Sequence, residues 1–263
     1  MKRVLSIAGS DSGGGAGIQA DLKSCAALGC FGMSAITATT AQNTITVTDI
    51  HEIPVSHVEA QIRAVLDDIG ADAIKTGMLS SAAIIDTVAT TLQSYRQPPL
   101  VVDPVMISKS GAHLLRPEAV ESLKERLLPL ATLITPNIPE AEELTGLRLT
   151  NEEDRSKILE ALKELGPQAV LLKGGHADSD QSVDFLYDGN RVVAYPAARI
   201  ETRHTHGTGC TLSTAIACYL ARGETMEEAV RLAKEYLTQA IMHSEQLQIG
   251  QGVGPVHHGW NRG

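Results

Sequence analysis

The stretch RHTHGTGCTLSTA, residues 203–215, places a cysteine where a glycine-rich turn meets an apolar segment typical of a helix. Gly207 and Gly209 flank Thr208, so the backbone N–H groups of this turn would point at whatever lies above the helix. Such amides favour a phosphate that gains negative charge in a transition state. The positive end of the helix dipole also favours the thiolate form of Cys210, which predicts a proton acceptor. The alternative is a small residue that simply fits a crowded turn.

A second glycine-rich stretch, GSDSGGGAG at residues 9–17, lies between a strand-like and a helix-like segment. Bare amides at the start of a helix would favour an anion there, although a simple tight turn is the alternative. No Lys-Ser or Lys-Thr pair follows a glycine, which excludes a P-loop. A dinucleotide fingerprint fits residues 15–20, but Gln42 and Asn43 stand where its ribose-binding acid is expected.

Polar residues also follow three further strand-like segments. Asn137 and Glu140 in TPNIPEAE offer oxygen atoms of the kind that Mg²⁺ prefers, with helix capping as the alternative. Lys173 in LLKGGH and Asp103 in VVDPV stand at strand ends, from which side chains reach into a crevice. A solvated strand end and the start of a turn are their respective alternatives. Together these groups match what phosphoryl transfer requires.

The elements that must position these residues alternate between strand and helix. This pattern predicts a mostly parallel sheet with helices on both faces, in one domain spanning residues 1–263. Ser56 and Glu59 have the spacing of a helix-initiating capping box. Strands are predicted at 4–8, 33–42, 72–78, 99–105, 133–137 and 169–175, a hairpin at 182–196, and helices at 17–29, 58–70, 81–92, within 139–165, 209–222 and 225–247.

The composition narrows the function classes. Hydrophobic residues make up 43% of the 263 residues, and the net charge of −9 disfavours a nucleic-acid or anionic-membrane surface. The apolar run at residues 4–8 is too short for a signal peptide or a membrane span. The four cysteines form no CxxC pair, which favours a reduced chain in the cytoplasm.

A set of longer motifs carries a family resemblance over nearly the whole chain. In order along the sequence they are AGSDSGGGAGIQADLK, TAQNT, KTGML, DPVM, TPNIPEAE, LLKGGH and HTHGTGCTLS. The chain therefore resembles the hydroxymethylpyrimidine/phosphomethylpyrimidine kinases of thiamin biosynthesis, within the ribokinase superfamily. The resemblance implies a three-layer α/β/α ribokinase-like fold, commonly as a homodimer. It also implies that MgATP is used twice, first on 4-amino-5-hydroxymethyl-2-methylpyrimidine and then on its monophosphate.

The resemblance also implies roles for individual residues. Gln42 would bind the amino group and ring nitrogen of the pyrimidine, for which an amide supplies both a donor and an acceptor. Asp21 and Gly9 would line the same pocket. Cys210 stands where many relatives have an aspartate base, so it would accept or orient the hydroxyl proton. Phosphate binding falls to Lys173, Asn137, Thr208 and Gly209, the anion hole to Gly207 and Gly209, and Mg²⁺ to Glu140, Asn137 and Asp103, directly or through water.

Rival interpretations remain open from the sequence. A pyridoxal kinase shares the fold and sometimes the cysteine turn. A dinucleotide-binding oxidoreductase is disfavoured, because this sequence lacks the acidic residue that would bind the ribose. A pyrimidine-sensing module would not need the lysine and the anion hole. Segment 107–115 follows the family's pattern of a mobile stretch near the phosphates. The adjacent residues His257 and His258 are expected at the surface, while His204 and His206 are expected to shape the turn before the anion hole rather than bind metal.

Overall fold

The computed structural model describes residues 1–96, 98–106, 114–116, 118–174 and 181–261, so most of segment 107–115 lies outside the described residues. Nine strands in the described ranges form one sheet in the order β3-β2-β1-β4-β5-β6-β7-β8-β9. The strands are β1 (Arg3–Asp11), β2 (Phe31–Gln42), β3 (Val47–Glu52), β4 (Ala73–Thr76), β5 (Leu100–Val102), β6 (Leu133–Ile134), β7 (Val170–Leu172), β8 (Gln181–Tyr187) and β9 (Val192–Ala198).

Helices cover both faces of this sheet. One hydrophobic cluster packs α1, α7 and α8 on one face, and a second packs α2 to α6 on the other. The predicted three-layer α/β/α architecture is therefore confirmed. The helices are α1 (Gly17–Ala27), α2 (Val55–Asp68), α3 (Ala82–Gln93), α4 (Ala119–Ser122, continued by a π-helical and a 3₁₀ turn to Leu130), α5 (Ile138–Thr145), α6 (Glu152–Glu164), α7 (Thr208–Ala221) and α8 (Met226–Met242).

The strand order reverses beside β1. The chain passes from β1 to β2 on one side and then returns to place β4 on the other side, both parallel to β1. The six central strands are parallel, while β3, β8 and β9 are antiparallel to their neighbours. Parallel strands bind ligands in the crevice outside their carboxyl ends, where the order reverses. The fold therefore directs attention to the carboxyl ends of β1 and β4 and of the strands beyond β4.

The start of α2 differs from the sequence prediction. Pro54 is the N-cap residue, no side-chain cap is formed, and Val55 is the first helical residue. The carbonyl group of Pro54 accepts the first helical hydrogen bonds, so Ser56 lies too far inside the helix to cap it. Glu59 pairs with Arg63 at 2.8 Å instead. The predicted capping box was wrong because proline had already begun the helix two residues earlier.

The C-terminal tail also departs from expectation. His258 is only 5% exposed, and burial lowers the pKa of its imidazole to about 3. Tyr236 donates a 2.6 Å hydrogen bond to the carbonyl oxygen of His258, and Val256 is fully buried. Pro255 forms a parallel bridge with His206. The surface location expected for His258 was wrong, because this tail packs on α8 and on the turn that precedes α7.

Candidate active site

The carboxyl ends of β5, β6 and β7 bring three charged groups together. Lys173 Nζ lies 3.0 Å from Asp103 Oδ1 and 3.9 Å from Glu140 Oε2. Burial on its own lowers the pKa of Lys173, but the two carboxylates outweigh burial and hold that pKa above its usual value. The ammonium group is therefore charged at neutral pH and stands between two carboxylates at the rim of the sheet.

Asn137 and Glu140 form a reciprocal cap at the start of α5. Glu140 N donates to Asn137 Oδ1 at 2.9 Å, and Asn137 N donates to Glu140 Oε2 at 2.8 Å. This is the capping alternative that the sequence left open, and it fixes the Glu140 carboxylate beside Lys173. The cap does not preclude a role in ligand binding, since each carboxylate oxygen accepts more than one hydrogen bond.

The first turn of α7 lies directly over the lysine. A Cβ atom added to Gly209 would lie 3.3 Å from Asp103 Oδ2 and 3.5 Å from Lys173 Nζ. The amides of Gly209 and Cys210 belong to the first turn, where a helix provides no internal acceptor. Thr208 opens the helix and is partly exposed. The structure thus places the predicted anion hole and the predicted phosphate-binding lysine at one point.

Cys210 lies between the starts of α1 and α7. Its sulfur accepts a hydrogen bond from the Gly17 amide, and Lys75 lies close enough to favour the thiolate. Burial nevertheless raises the pKa of the Cys210 thiol to about 11. The thiolate predicted from the helix dipole was therefore wrong. At neutral pH the Cys210 side chain is a thiol, because the loss of hydration on burial outweighs the nearby positive charge.

A buried ion pair lies beneath this turn. Lys75 Nζ is 2.9 Å from Asp21 Oδ2, and both side chains are fully buried. Asp21 also accepts hydrogen bonds from Ser6 Oγ at 2.5 Å and Thr214 Oγ1 at 2.7 Å. Asp21, which was predicted to line a pyrimidine pocket, thus has a fully buried carboxylate whose oxygens are occupied by these partners. Lys75 lies in the KTGML motif but was not predicted as a site residue, since a lysine within a strand gives no signal of burial.

The glycine-rich loop before α1 binds an anion that belongs to the chain itself. The Asp11 carboxylate accepts hydrogen bonds from the amides of Gly13 at 2.7 Å, Gly15 at 3.0 Å and Ala16 at 2.8 Å. Burial raises the pKa of Asp11, but His206 and these amides together lower it below its usual value. These amides are therefore not free for a ligand phosphate, and the loop is closer to the tight turn that the sequence left as an alternative.

Gln42 ends β2 beside this loop. Its Oε1 accepts a hydrogen bond from Thr40 Oγ1 at 3.1 Å, and its Nε2 lies 3.3 Å from His206 Nε2. His206 Nε2 is in turn 2.8 Å from Asp11 Oδ2. Gly9 lies in β1, two residues before its end at Asp11, and a Cβ atom there would lie 3.0 Å from the sulfur of Met78. Gln42 thus ends β2 and Gly9 lies near the carboxyl end of β1, beside the reversal in strand order.

Two carboxylates, Asp103 and Glu140, fit the donor chemistry of a magnesium site that nucleotide phosphates complete. Within the described ranges, no group of three or more His, Cys, Asp and Glu side chains is arranged to hold a metal by itself.

None of the described helices combines the length and the apolar character that a membrane crossing requires.

The comparison of sequences identifies close relatives. Residues 11–257 match the family described as phosphomethylpyrimidine kinase. The hydroxymethylpyrimidine/phosphomethylpyrimidine kinase of Streptomyces coelicolor is 53% identical over 260 residues, which cover 99% of this chain and 95% of that protein. The protein of the same name from Haemophilus influenzae is 50% identical over 263 residues, covering 98% and 97% respectively.

Solved structures show the same fold. The phosphomethylpyrimidine kinase of Clostridium difficile matches 92% of this chain and all of its own, with 50% identity and a TM-score of 0.82. A Staphylococcus aureus pyridoxal kinase in complex with AMP-PCP and pyridoxal matches 100% of this chain and 95% of its own, with 38% identity and a TM-score of 0.91. The backbone fold is therefore shared with kinases of both names, whereas the sequence identity is higher to the pyrimidine kinases.

Proposed function

The chain belongs to the phosphomethylpyrimidine kinase family, and we propose that it phosphorylates 4-amino-5-hydroxymethyl-2-methylpyrimidine and then the resulting monophosphate. The phosphoryl donor in both steps is ATP, and the product serves thiamin biosynthesis. The observation that carries the proposal is the meeting of Lys173, Asp103 and the first turn of α7 at one point. A cation and free helical amides at one place are what a transferring phosphoryl group requires.

Lys173 acts on the phosphates of the nucleotide. Its ammonium group pairs with Asp103 at 3.0 Å, which fixes its position. We assign it to the transferring phosphate, together with the amides of Gly209 and Cys210. When Mg²⁺ is bound, Asp103 and Glu140 would hold it, directly or through water, and it would neutralise phosphate charge. Asn137 fixes Glu140 through the cap and approaches the same phosphates.

Cys210 orients the substrate hydroxyl group rather than serving as a preformed base. Its pKa of about 11 leaves the thiol protonated at neutral pH. A loose phosphoryl-transfer transition state requires little removal of the hydroxyl proton before the phosphoryl group is transferred. The thiol therefore contributes mainly by its position above Lys75 and next to the Gly17 amide.

Gln42 and Gly9 define the pyrimidine pocket, and Asp21 supports it from below through Lys75, Ser6 and Thr214. A side-chain amide presents one donor and one acceptor to the edge of an aminopyrimidine. Pyridoxal presents an aldehyde and a phenolic oxygen, which this pattern fits less well. We therefore rank pyridoxal kinase activity second; the shared shape of the S. aureus pyridoxal kinase keeps it as the alternative.

The decisive experiment is mass spectrometry of the reaction products. The enzyme is incubated with MgATP and hydroxymethylpyrimidine, with pyridoxal in a parallel reaction, and the phosphates added are counted. We expect pyrimidine monophosphate followed by diphosphate, and no product after chelation of the metal with EDTA. Turnover of pyridoxal alone, or a reaction that stops at the monophosphate, would contradict the proposed bifunctional activity.

We also propose that the chain forms one domain and acts as a homodimer in the cytoplasm, without a nucleic-acid or membrane partner. The net charge of −9 and four free cysteines support this setting. Light scattering coupled to gel filtration tests the dimer directly. A mass close to one chain of 27.9 kDa would contradict it.

A further inference from the structure

The side chain of Gln42 faces a histidine whose hydrogen-bonding role is fixed by its surroundings. Gln42 Nε2 lies 3.3 Å from His206 Nε2, and the same histidine nitrogen lies 2.8 Å from Asp11 Oδ2. Asp11 is 3% exposed and accepts hydrogen bonds from three backbone amides of its loop, which favour the ionised carboxylate. An ionised carboxylate only accepts hydrogen bonds, so the hydrogen between it and His206 is carried by His206 Nε2.

The carboxamide of Gln42 then has an unfavourable neighbour at each end. His206 Nε2 carries a hydrogen, so a Gln42 nitrogen beside it would bring two donors together. At the other end, Thr40 Oγ1 lies 3.1 Å from Gln42 Oε1 and 3.0 Å from the carbonyl oxygen of Ser10. A hydroxyl group has one hydrogen, and the Ser10 carbonyl oxygen only accepts. The hydroxyl that donates to Ser10 therefore turns an acceptor toward Gln42 Oε1.

Both conflicts disappear when the amide is turned over. The two ends of a carboxamide have the same shape, and the hydrogen bonds around it decide which end is oxygen. Gln42 Oε1 then accepts from the N–H group of His206, and Gln42 Nε2 donates to Thr40 Oγ1. We propose that His206, fixed by Asp11, is a positioning residue that holds the Gln42 amide in this orientation.

The orientation decides which way a bound pyrimidine points. This step rests on the proposed function, in which the amide oxygen of Gln42 accepts from the amino group of the substrate and the amide nitrogen donates to the adjacent ring nitrogen. The hydroxymethyl group of the substrate lies on the other side of its amino group. With the amide oxygen toward His206, the hydroxymethyl group points toward His206 and Gly207, the N-cap residue of α7. The opposite orientation would point it away from the proposed site of phosphoryl transfer.

The 4-oxo analogue of 4-amino-5-hydroxymethyl-2-methylpyrimidine tests the orientation, because it reverses the polarity of this edge. The analogue has an acceptor in place of the amino group and an N–H group in place of the ring nitrogen. A fixed Gln42 amide opposes it at both positions, and polar groups left unpaired in a site cause strong rejection. We expect the wild type to prefer the amino substrate by at least about 100-fold in kcat/KM.

His206→Leu removes the N–H group and allows the Gln42 amide to turn. We expect the preference for the amino substrate to fall by about tenfold, which corresponds to one hydrogen bond. His206→Gln supplies an N–H group in place of the ring nitrogen, and we expect it to restore most of the preference. The matched control is His204→Leu. His204 is also buried, but its Nδ1 has no hydrogen-bond partner among the described residues, so the preference is expected to be retained.

The outcomes separate this inference from the proposed function. An unchanged preference in folded His206→Leu, or an equal fall in His204→Leu, would overturn the role of His206 while the kinase activity stands. A wild type that does not phosphorylate the amino substrate would contradict the proposed function, and the inference would fall with it. NMR of the histidine ring nitrogens in the wild type requires neither substrate nor variant. A His206 Nε2 without a hydrogen would overturn the inference, whatever the activity.

Discussion

At the scale of single residues, Lys173 and Cys210 contribute in different ways. Lys173 carries a full charge at neutral pH, because its pKa is held above the usual value by Asp103 and Glu140. Cys210 is neutral under the same conditions, with a pKa of about 11. Charge stabilisation of a transferring phosphoryl group depends on fixed positive charge and donors rather than on a strong base. We therefore expect the lysine to contribute more than the cysteine to the proposed phosphoryl transfer.

Replacing Lys173 by alanine is expected to lower kcat by about 100- to 1000-fold, the range typical of losing one transition-state donor. Cys210→Ala is expected to lower kcat by less than about tenfold, because it removes only an orienting contact. Both variants are compared by steady-state kinetics with hydroxymethylpyrimidine and MgATP, after their folding has been verified. An equal or larger loss for the cysteine variant would contradict the division of roles.

At the scale of secondary-structure elements, the turn into α7 depends on the glycine loop before α1. Gly207 has φ +81°, and a Cβ atom there would overlap the carbonyl oxygen of Gly15. Gly223, just after α7, has a similar φ of +93°, but no atom lies within 4 Å of an added Cβ. Both glycines therefore have a left-handed backbone that would strain any other residue, but only Gly207 has no room for a side chain.

Gly207→Ala is therefore expected to cost at least about 3 kcal/mol of unfolding free energy and to abolish activity, since it also displaces the anion hole. Gly223→Ala is expected to cost about 1–2 kcal/mol, the price of the left-handed backbone alone, with activity retained. Chemical denaturation and kinase assays measure both. Similar losses of stability in the two variants would show that the contact with Gly15 is unimportant.

The buried ion pair joins three elements, because Lys75 lies in β4, Asp21 in α1, and Thr214, which donates to Asp21, in α7. Lys75→Met would leave a buried carboxylate without its counter-charge, and we expect a loss of about 3–5 kcal/mol in unfolding free energy. Removing both charges with Asp21→Asn in the same chain is expected to recover part of this loss. Chemical denaturation measures the three variants.

The matched control for this pair is Lys157→Met. Lys157 pairs with Glu153 at 2.8 Å at the surface, where its side chain is 56% exposed. Exposed pairs contribute no more than about 1 kcal/mol. A loss for Lys75→Met as small as that of the control would show that the buried pair does not hold α1 and β4 together.

Strand and helix periodicity was sufficient to predict most elements but not all of their ends. The predicted segments at 33–42 and 81–92 coincide closely with β2 and α3. Strand β3 was not predicted, because its residues alternate only weakly in burial. It is an edge strand of the sheet and pairs with β2 alone. The Ser56 cap was wrong since proline at position 54 competes for the helix start. Local patterns compete with one another, and sequence spacing alone does not decide between them.

For the site, residue types at strand ends predicted the partners of Lys173 but not its geometry. The meeting of Lys173, Asp103 and Gly209 follows from parallel strands sharing one edge, which the alternation of elements already implied. Asp11 and Lys75 could not be predicted, because each is defined by what it contacts across the fold. Long-range pairing therefore limited the prediction of the site.

At the scale of the whole molecule, the C-terminal tail is tied to the active-site turn. Pro255 bridges to His206, and the His206 amide donates to the carbonyl oxygen of Gly254 at 3.0 Å. His258 follows with its Nε2 buried and without a hydrogen-bond partner among the described residues. The tail thus places a neutral imidazole in a buried position near Lys23, His257 and His206, close to the turn before α7.

This enclosure predicts a specific sensitivity to acid. The pKa of His258 is lowered from about 6.5 to about 3, so the unfolded chain binds a proton between these values and the folded chain does not. The contribution of His258 to stability is therefore complete above pH 6.5 and declines as the pH falls. Between pH 7 and pH 5 the loss from this group amounts to about 2 kcal/mol.

His258→Gln removes the titrating group while keeping a polar side chain of similar size. We expect the variant to lose less unfolding free energy than the wild type between pH 7 and pH 5, by about 2 kcal/mol. Chemical denaturation at both pH values provides the measurement. The control is His257→Gln, which changes the neighbouring, partly exposed histidine. Equal acid losses in the wild type and His258→Gln would mean that the tail opens before His258 titrates, so that the docked tail does not limit stability in acid.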